Sequence, residues 1–297
     1  MSNIDEKVSV YITPTNCCNL VCRCPNASLP YRNFLEANIV FRLLEEIASD
    51  GLFNKMVTWS EFGESFLHKD NFDFIKFVKE KKLNIYLLTN LTLLSPEEIK
   101  LLSEILSSGD LVCLNLDWGK KIYETIRKNT SYEKKLDDIL KLILLNKNKN
   151  MTERFKIEIW SIDYDIVSDQ VRKEFFEEIK YLSDLYQFSY SVGRLENEKE
   201  YVDVSFHSRA ESNWKDFLFI SGKPMCAGLE APQLHILPNG RAVLCCHDWK
   251  GEVEIGNVKS QSLREIWESQ RRIDMERSIL ERKIDTKICR QCLRLSN

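Results

Sequence analysis

Short apolar runs alternate with amphipathic stretches along the first two-thirds of the chain. Residues 8–13 form a compact apolar run that predicts a strand. Further on, Ile39, Phe41, Leu43, Leu44 and Ile47 trace an imperfect helical stripe within 35–48, which Gly51 ends. Residues 56–59 predict a second strand, and 71–82 an amphipathic helix with Phe74, Ile75 and Val78 inward. After a third strand at 84–88, Ser95-Pro96-Glu97-Glu98 supplies a cap, an N-terminal proline and first-turn acids. That predicts a helix to about residue 107. Strands follow at 110–116, 155–162 and 188–192, with helices at 132–145 and 171–185 between them. Continuous apolar strands separated by helices predict an α/β fold with a parallel sheet, of about six units before Arg194. That is enough for a partial or full (β/α) barrel, whose ligands sit in the loops after the strands.

The pattern breaks after Arg194. Residues 195–222 are polar and irregular and read as a connection. From Cys226 the chain changes character: residues 233–237 and 241–245 flank Pro238-Asn239-Gly240, a hairpin signature, and 262–280 are helical and amphipathic. The expected organisation is therefore a domain over 1–194, a connection over 195–222 and a small cysteine-rich domain over 223–297.

Composition narrows the function. The 297 residues are 43% hydrophobic and 29% charged with a net charge of −3, so no general nucleic-acid-binding field is implied. No apolar run approaches the roughly 20 residues of a membrane span, and residues 1–7 lack a signal-peptide pattern. A cytoplasmic, reducing compartment is expected, where ten cysteines read as ligands, reactive thiols or buried small residues.

The cysteines are concentrated in two places. Cys17, Cys18, Cys22 and Cys24 fall within eight residues, directly after the first predicted strand. Thiolates suit iron–sulfur clusters, zinc or copper(I), and the position is on the functional rim of a parallel sheet. The second set is Cys226, Cys245 or Cys246, Cys289 and Cys292. By spacing alone it fits zinc or a cubane cluster, with zinc favoured. Cys113 lies mid-strand and reads as a buried small residue, and His235 as structural. Trp59, Trp160, Tyr164, Tyr190 and Arg194 lie near predicted strand ends, where they could face a substrate.

Taken together, these residues resemble the radical S-adenosylmethionine (SAM) family with a SPASM/twitch-type auxiliary domain, over nearly the whole chain. Cys18-x3-Cys22, followed by Cys24-Pro25-Asn26, is similar to the family's cluster loop. Gly63-Glu64-Ser65 resembles its Gly-Glu-Pro motif, and Thr89-Asn90-Leu91 its Thr-Asn-Gly segment. Asn115-Leu116-Asp117, Ile126-Arg127 and Ser131-Tyr132-Glu133 resemble a run of the SPASM branch. The tail is the most specific match, running from Cys226 through Gly240-x4-Cys245 and Ile255-Gly256-Asn257 to Cys289-x2-Cys292. The Gly-x4-Cys spacing selects Cys245, and the four-cysteine set is similar to the single-cluster twitch form of the 2-deoxy-scyllo-inosamine dehydrogenase type.

The resemblance implies a partial (β/α)6 barrel, two [4Fe–4S] clusters and SAM. Cys18, Cys22 and Cys24 would hold the first cluster, with SAM on its open iron. Gly63 and Glu64 would meet the methionine ammonium, Asn115 and Arg127 the ribose or carboxylate, and Asn90 would line the pocket. Cys226, Cys245, Cys289 and Cys292 would hold the second cluster. Reductive cleavage of SAM would yield a 5′-deoxyadenosyl radical that abstracts hydrogen from a small molecule or peptide. The expected outcome is oxidation, with epimerisation or a degenerate homologue as alternatives, and a flavodoxin or ferredoxin as electron donor. One departure stands out: the family spacing is Cys-x3-Cys-x2-Cys, whereas this chain reads Cys18-x3-Cys22-x1-Cys24 with Arg23 in place of an aromatic. Either all three thiolates bind in a tighter loop, or the cluster is labile, incomplete or uses Cys17.

Overall fold

The computed structural model describes residues 7–22, 32–163, 166–193, 202–210, 219–220, 223–224 and 226–293. In chain order the elements are β1 (Val8–Ile12), α1 (Ala37–Ser49), β2 (Phe53–Trp59), α2 (Asn71–Glu80), β3 (Asn84–Leu88), α3 (Pro96–Ile105), β4 (Leu111–Asn115), α4 (Lys120–Ile126), α5 (Tyr132–Lys147), β5 (Lys156–Asp163), α6 (Asp169–Tyr186), β6 (Tyr190–Val192), β7 (Val204–Ala210), β8 (Phe219–Ile220), β9 (Lys223–Pro224), α7 (Ala227–Glu230), β10 (Gln233–Ile236), β11 (Arg241–Val243), β12 (Glu254–Asn257), α8 (Leu263–Trp267), α9 (Gln270–Leu280) and α10 (Lys287–Leu293). The α/β class with parallel strands and crossover helices is as the apolar pattern predicts. No helix among the described residues is long and apolar enough to cross a membrane.

Contacts divide the chain into two compact units. The first holds residues 1–17, 28–84 and 212–297. Its strands lie in the order β12-β11-β10-β1-β2. β1 pairs parallel with both β2 and β10, while β10-β11 and β11-β12 are antiparallel. The C-terminal hairpin thus extends the parallel pair through β1 and is not a sheet of its own. The helix expected over 262–280 is two helices. Ser262 caps α8 through a capping box, and Ser269 accepts from the Arg272 amide to start α9 afresh. Gly256 of β12 explains the Ile-Gly-Asn motif: a Cβ there would lie 2.7 Å from the Ile266 side chain, so only glycine lets α8 pack this closely.

The second unit holds residues 18–27 and 85–211, with strands in the order β3-β4-β5-β7-β6, all parallel. The strand expected at 188–192 forms, as the three-residue edge strand β6, but an additional strand, β7, lies between it and β5. β7 falls in the stretch read as a connection. Its sequence, Val204-Ser205-Phe206-His207-Ser208, alternates apolar and polar, which suits a strand with unlike faces and lacks a continuous apolar run. α3 begins as predicted, with Ser95 and Glu98 forming a reciprocal capping box.

Asp110 ties the entries of two strands together. One carboxylate oxygen accepts from the Ile85 amide at 2.9 Å and the other from the Ser107 amide at 2.8 Å, in a residue only 1% exposed. Asp110→Ala leaves two amides without their acceptor. It should lower unfolding stability by about 1–3 kcal/mol in urea titration, with the m-value unchanged.

Candidate metal and cofactor site

In the first unit, the chain leaving β1 is pinned before it reaches the cysteines. Thr15 bridges Phe34, its hydroxyl donates to the Asn33 carbonyl at 2.8 Å, and Asn16 accepts from the Asn33 amide at 2.8 Å. The loop after β2 then closes on this segment. The Glu64 amide donates to the Cys17 carbonyl at 2.7 Å. Gly63 has a φ of +80°, and a Cβ there would lie 2.4 Å from the Thr15 carbonyl oxygen and 2.7 Å from that of Cys17. Both the backbone angle and the space demand glycine. Glu64 is 1% exposed, and its carboxylate accepts from the Phe66 amide at 3.3 Å, capping the short 3-10 turn Ser65–Leu67. The acid of the Gly-Glu pair therefore has a capping job besides any ligand it meets.

In the second unit, Cys18 is exposed and Cys22 half-buried. Cys24 lies outside the described residues. The Cys18 sulfur receives two N–H groups: the Leu20 amide at 3.5 Å and the Asn90 side-chain amide at 3.7 Å. Asn90 also donates to Asn19 Oδ1 at 2.9 Å, Asn19 Nδ2 donates to the Thr92 hydroxyl at 2.9 Å, and the Thr92 backbone amide donates back to Asn90 Oδ1 at 2.9 Å. Buried Lys135 donates its ammonium to the Asn90 backbone carbonyl. Asn90 thus acts on the cysteine loop itself, orienting Cys18. Leu91, where the family segment has glycine, has a φ of +61° and is 1% exposed. Burial of its side chain offsets a left-handed backbone that costs roughly 1–2 kcal/mol.

Arg127 is neither solvated nor unpaired. Its Nε donates to Asp117 Oδ2 at 2.7 Å, and its guanidinium lies 5.8 Å from the Tyr123 ring centroid. Burial works against its charge, but Asp117 with Cys22 beyond it outweighs burial and holds the pKa above the usual range. Asp117 is fully buried with a φ of +53°, and its carbonyl accepts from the Ser161 hydroxyl at 2.6 Å. The ion pair fixes the turn after β4, next to half-buried Asn115 at that strand's end. Asp117 and Asn19 carry structural roles that sequence reasoning did not assign. Both lie inside motifs, Asp117 in Asn115-Leu116-Asp117 and Asn19 between Cys18 and Cys22, but only the fold shows what they hold.

The second cysteine set belongs wholly to the first unit. Cys226, Cys245, Cys289 and Cys292 line one cavity of about 30 Å³, walled by Leu244, Val253, Ile279, Ile288 and Leu293. Cys245 lines it and Cys246 does not. Cys289 and Cys292 sit on α10, where positions three apart share a face. Burial pushes the Cys226 thiol up to about 11 and raises those of Cys245, Cys289 and Cys292; neighbouring thiols add to the effect at Cys226, Cys245 and Cys292, and the Asp248 and Glu252 carboxylates at Cys289. His247 Nδ1 is 3.8 Å from the Cys292 sulfur. Among the described residues no three His, Cys, Asp or Glu close on a single-ion site. His235 is buried between Glu61, 2.5 Å from its Nδ1, and Gln233, and stacks on Tyr11 at 4.1 Å. Trp59 is fully buried, donating to Asn71 at 3.0 Å, so it belongs to the core. Tyr164 and Arg194 lie outside the described residues. Trp160 and Tyr190 are half-buried.

Residues 226–293 match the SPASM family, an iron–sulfur cluster-binding domain. No curated protein matches the chain. Among solved structures, Streptococcus suis SuiB bound to S-adenosylmethionine aligns with a TM-score of 0.63 at 17% identity, covering 89% of this chain and 66% of that one. The chain thus spans just under two thirds of SuiB's length. anSMEcpe with bound AdoMet aligns at 0.58 and 17%, covering 90% and 82%. BtrN in complex with AdoMet and 2-DOIA aligns at 0.54 and 11%, covering 94% and 88%. The chain has the α/β fold of these AdoMet-bound structures. Its C-terminal segment is an iron–sulfur domain of the SPASM type.

Because Gly63 touches the cysteine loop through backbone alone, Gly63→Ala must displace Thr15 and Cys17. Iron bound after anaerobic reconstitution should fall from about eight per chain to about four, the second set keeping its share. An unchanged iron count would contradict this packing role.

Proposed function

We propose that the chain is a radical SAM enzyme that oxidises a small molecule or a peptide side chain, with an auxiliary cluster taking the second electron. The observation that carries it is the contact between the Gly63-Glu64 loop and the Thr15-Asn16-Cys17 segment. It joins the Gly-Glu pair to the start of the cysteine loop at the carboxyl ends of two adjacent parallel strands, where such sheets bind ligands. The SPASM match over 226–293 and the AdoMet-bound fold neighbours support the same reading.

When bound, a [4Fe–4S] cluster would supply the electron for reductive cleavage of SAM and so the hydrogen-abstraction chemistry that acts on the substrate. The chain's own residues have positioning work. Cys18, Cys22 and Cys24 are proposed as ligands, with N–H donation from Leu20 and Asn90 stabilising a thiolate at Cys18. Gly63 and Glu64 would present carbonyl and carboxylate oxygens to the methionine ammonium. Asn115 would bind the ribose. Arg127, committed to Asp117, would support that turn and leave at most its outer nitrogens for the carboxylate. Cys226, Cys245, Cys289 and Cys292 would hold the second [4Fe–4S] cluster, in a cavity whose apolar wall excludes water. The peptide-bound forms of SuiB and anSMEcpe favour keeping peptides among the candidate substrates. A flavodoxin or ferredoxin is the proposed electron donor.

The test is anaerobic reconstitution followed by SAM and dithionite. About seven to eight irons per chain and release of 5′-deoxyadenosine are expected, with about four irons lost in Cys18→Ala and a separate four in Cys245→Ala. A fully loaded protein that leaves SAM intact would overturn the activity. About four irons, indifferent to Cys18→Ala, would favour a homologue keeping only the auxiliary site. Solvent deuterium in a recovered product would favour epimerisation.

A further inference from the structure

The second unit's sheet has two unlike faces. Ile85 and Leu87 on β3, Val112 and Leu114 on β4, Ile157 and Ile159 on β5, and Val204 and Phe206 on β7 are at most 3% exposed. Phe206 packs on Phe175 and Phe176 of α6, so this is the helix-covered face. By strand alternation Tyr86, Cys113, Glu158, Trp160, Ser205 and His207 stand on the opposite face. Register sets Cys113 beside Glu158, and Trp160 beside His207.

Glu158 is the centre of this face. Its Oε2 accepts from Trp160 Nε1 at 2.9 Å and from the Tyr86 hydroxyl at 3.5 Å. Its Oε1 lies 3.9 Å from His207 Nε2, beyond hydrogen-bond reach, and that nitrogen is 2.9 Å from the Ser205 hydroxyl. The rings of Trp160 and His207 are stacked, with centroids 4.9 Å apart and 19° between planes. Burial, then Cys113 and Glu158, keep Tyr86 protonated and a donor. Among the described residues no Lys or Arg pairs with Glu158, whose side chain is 22% exposed.

A carboxylate can accept about four hydrogen bonds, and two neutral donors leave much of this one open. Orienting Trp160 and Tyr86 needs only an acceptor. A glutamine would serve without placing a carboxylate in a half-buried setting where, among the described residues, the one ionisable nitrogen within 4 Å is that of His207, at 3.9 Å. An anionic oxygen flanked by aromatic rings is the complement of an ammonium group, which gains charge-assisted hydrogen bonds and ring-face attraction together. We propose that Glu158, with Trp160 and Tyr86 beside it, binds a protonated amine of the substrate. The proposal deepens the radical SAM reading and rests on it in taking this face to be the substrate's.

Calorimetry on the anaerobically reconstituted full-length protein with SAM tests it, using two matched probe pairs. D-Glucosamine is compared with D-glucose, and Nα-acetyl-lysine amide with Nα-acetyl-norleucine amide. The amine should bind about ten-fold more tightly than its neutral partner in at least one pair. The sugar pair reports an aminated small molecule and the lysine pair a peptide side chain. E158Q, verified by iron content and melting temperature, should abolish the preference, and E158D should keep part of it. Equal affinity within both pairs, no binding of any probe, or a preference that survives E158Q overturns the proposal. SAM binding and 5′-deoxyadenosine release are read on the same wild-type samples. An amine preference without SAM cleavage would therefore fail the enzymatic reading alone, and cleavage without an amine preference would fail this proposal alone.

Discussion

The contact on which the candidate site depends has no side chain on one side of it. Gly63 brings its backbone to within a methyl group's reach of the Thr15 and Cys17 carbonyls, and the Glu64 amide spends its hydrogen bond on Cys17. Two loops from adjacent parallel strands are thereby fixed to each other before any ligand is present. The neighbouring bonds of Thr15 and Asn16 to Asn33 hold the same segment from its other edge. A ligand loop anchored in this way loses less conformational entropy on binding than one that must be ordered by its metal.

The second cysteine set solves a different problem. Its thiols are buried in an apolar cavity, where burial raises their pKa, most plainly at Cys226. Without a metal they remain neutral at neutral pH and are tolerated as small apolar groups. A cluster bound there would require thiolates, so loading would be coupled to proton release. The same apolar wall that penalises a bare thiolate would keep water from such a cluster.

Charges inside the second unit are handled in two ways. Asp117 is fully buried and has the Arg127 guanidinium at 2.7 Å, a pair whose separation would leave a buried charge without compensation. Glu158 has neutral donors and partial exposure instead. The first arrangement holds a turn. The second leaves a carboxylate with spare capacity on the face away from the helices.

Much of this was legible along the chain. The apolar runs fixed the parallel α/β class, Ser95-Pro96-Glu97-Glu98 its helix start, and cysteine spacing both candidate metal sets. Spacing works there because ligand chemistry is written in residue type, and because helical periodicity and capping are local. Other features needed the folded chain. β7 was hidden since a strand with one polar face lacks an apolar run, and the break before α9 since one serine cap among polar residues is a weak signal. Arg127 was read as a cofactor ligand, and its commitment to Asp117 showed only when residues ten positions apart met. Asn90 became a partner of Cys18 only when residues 71 or more positions apart met. Glu158, Tyr86 and His207 share a face because of strand register, and register is set by pairing between segments, not by any one of them.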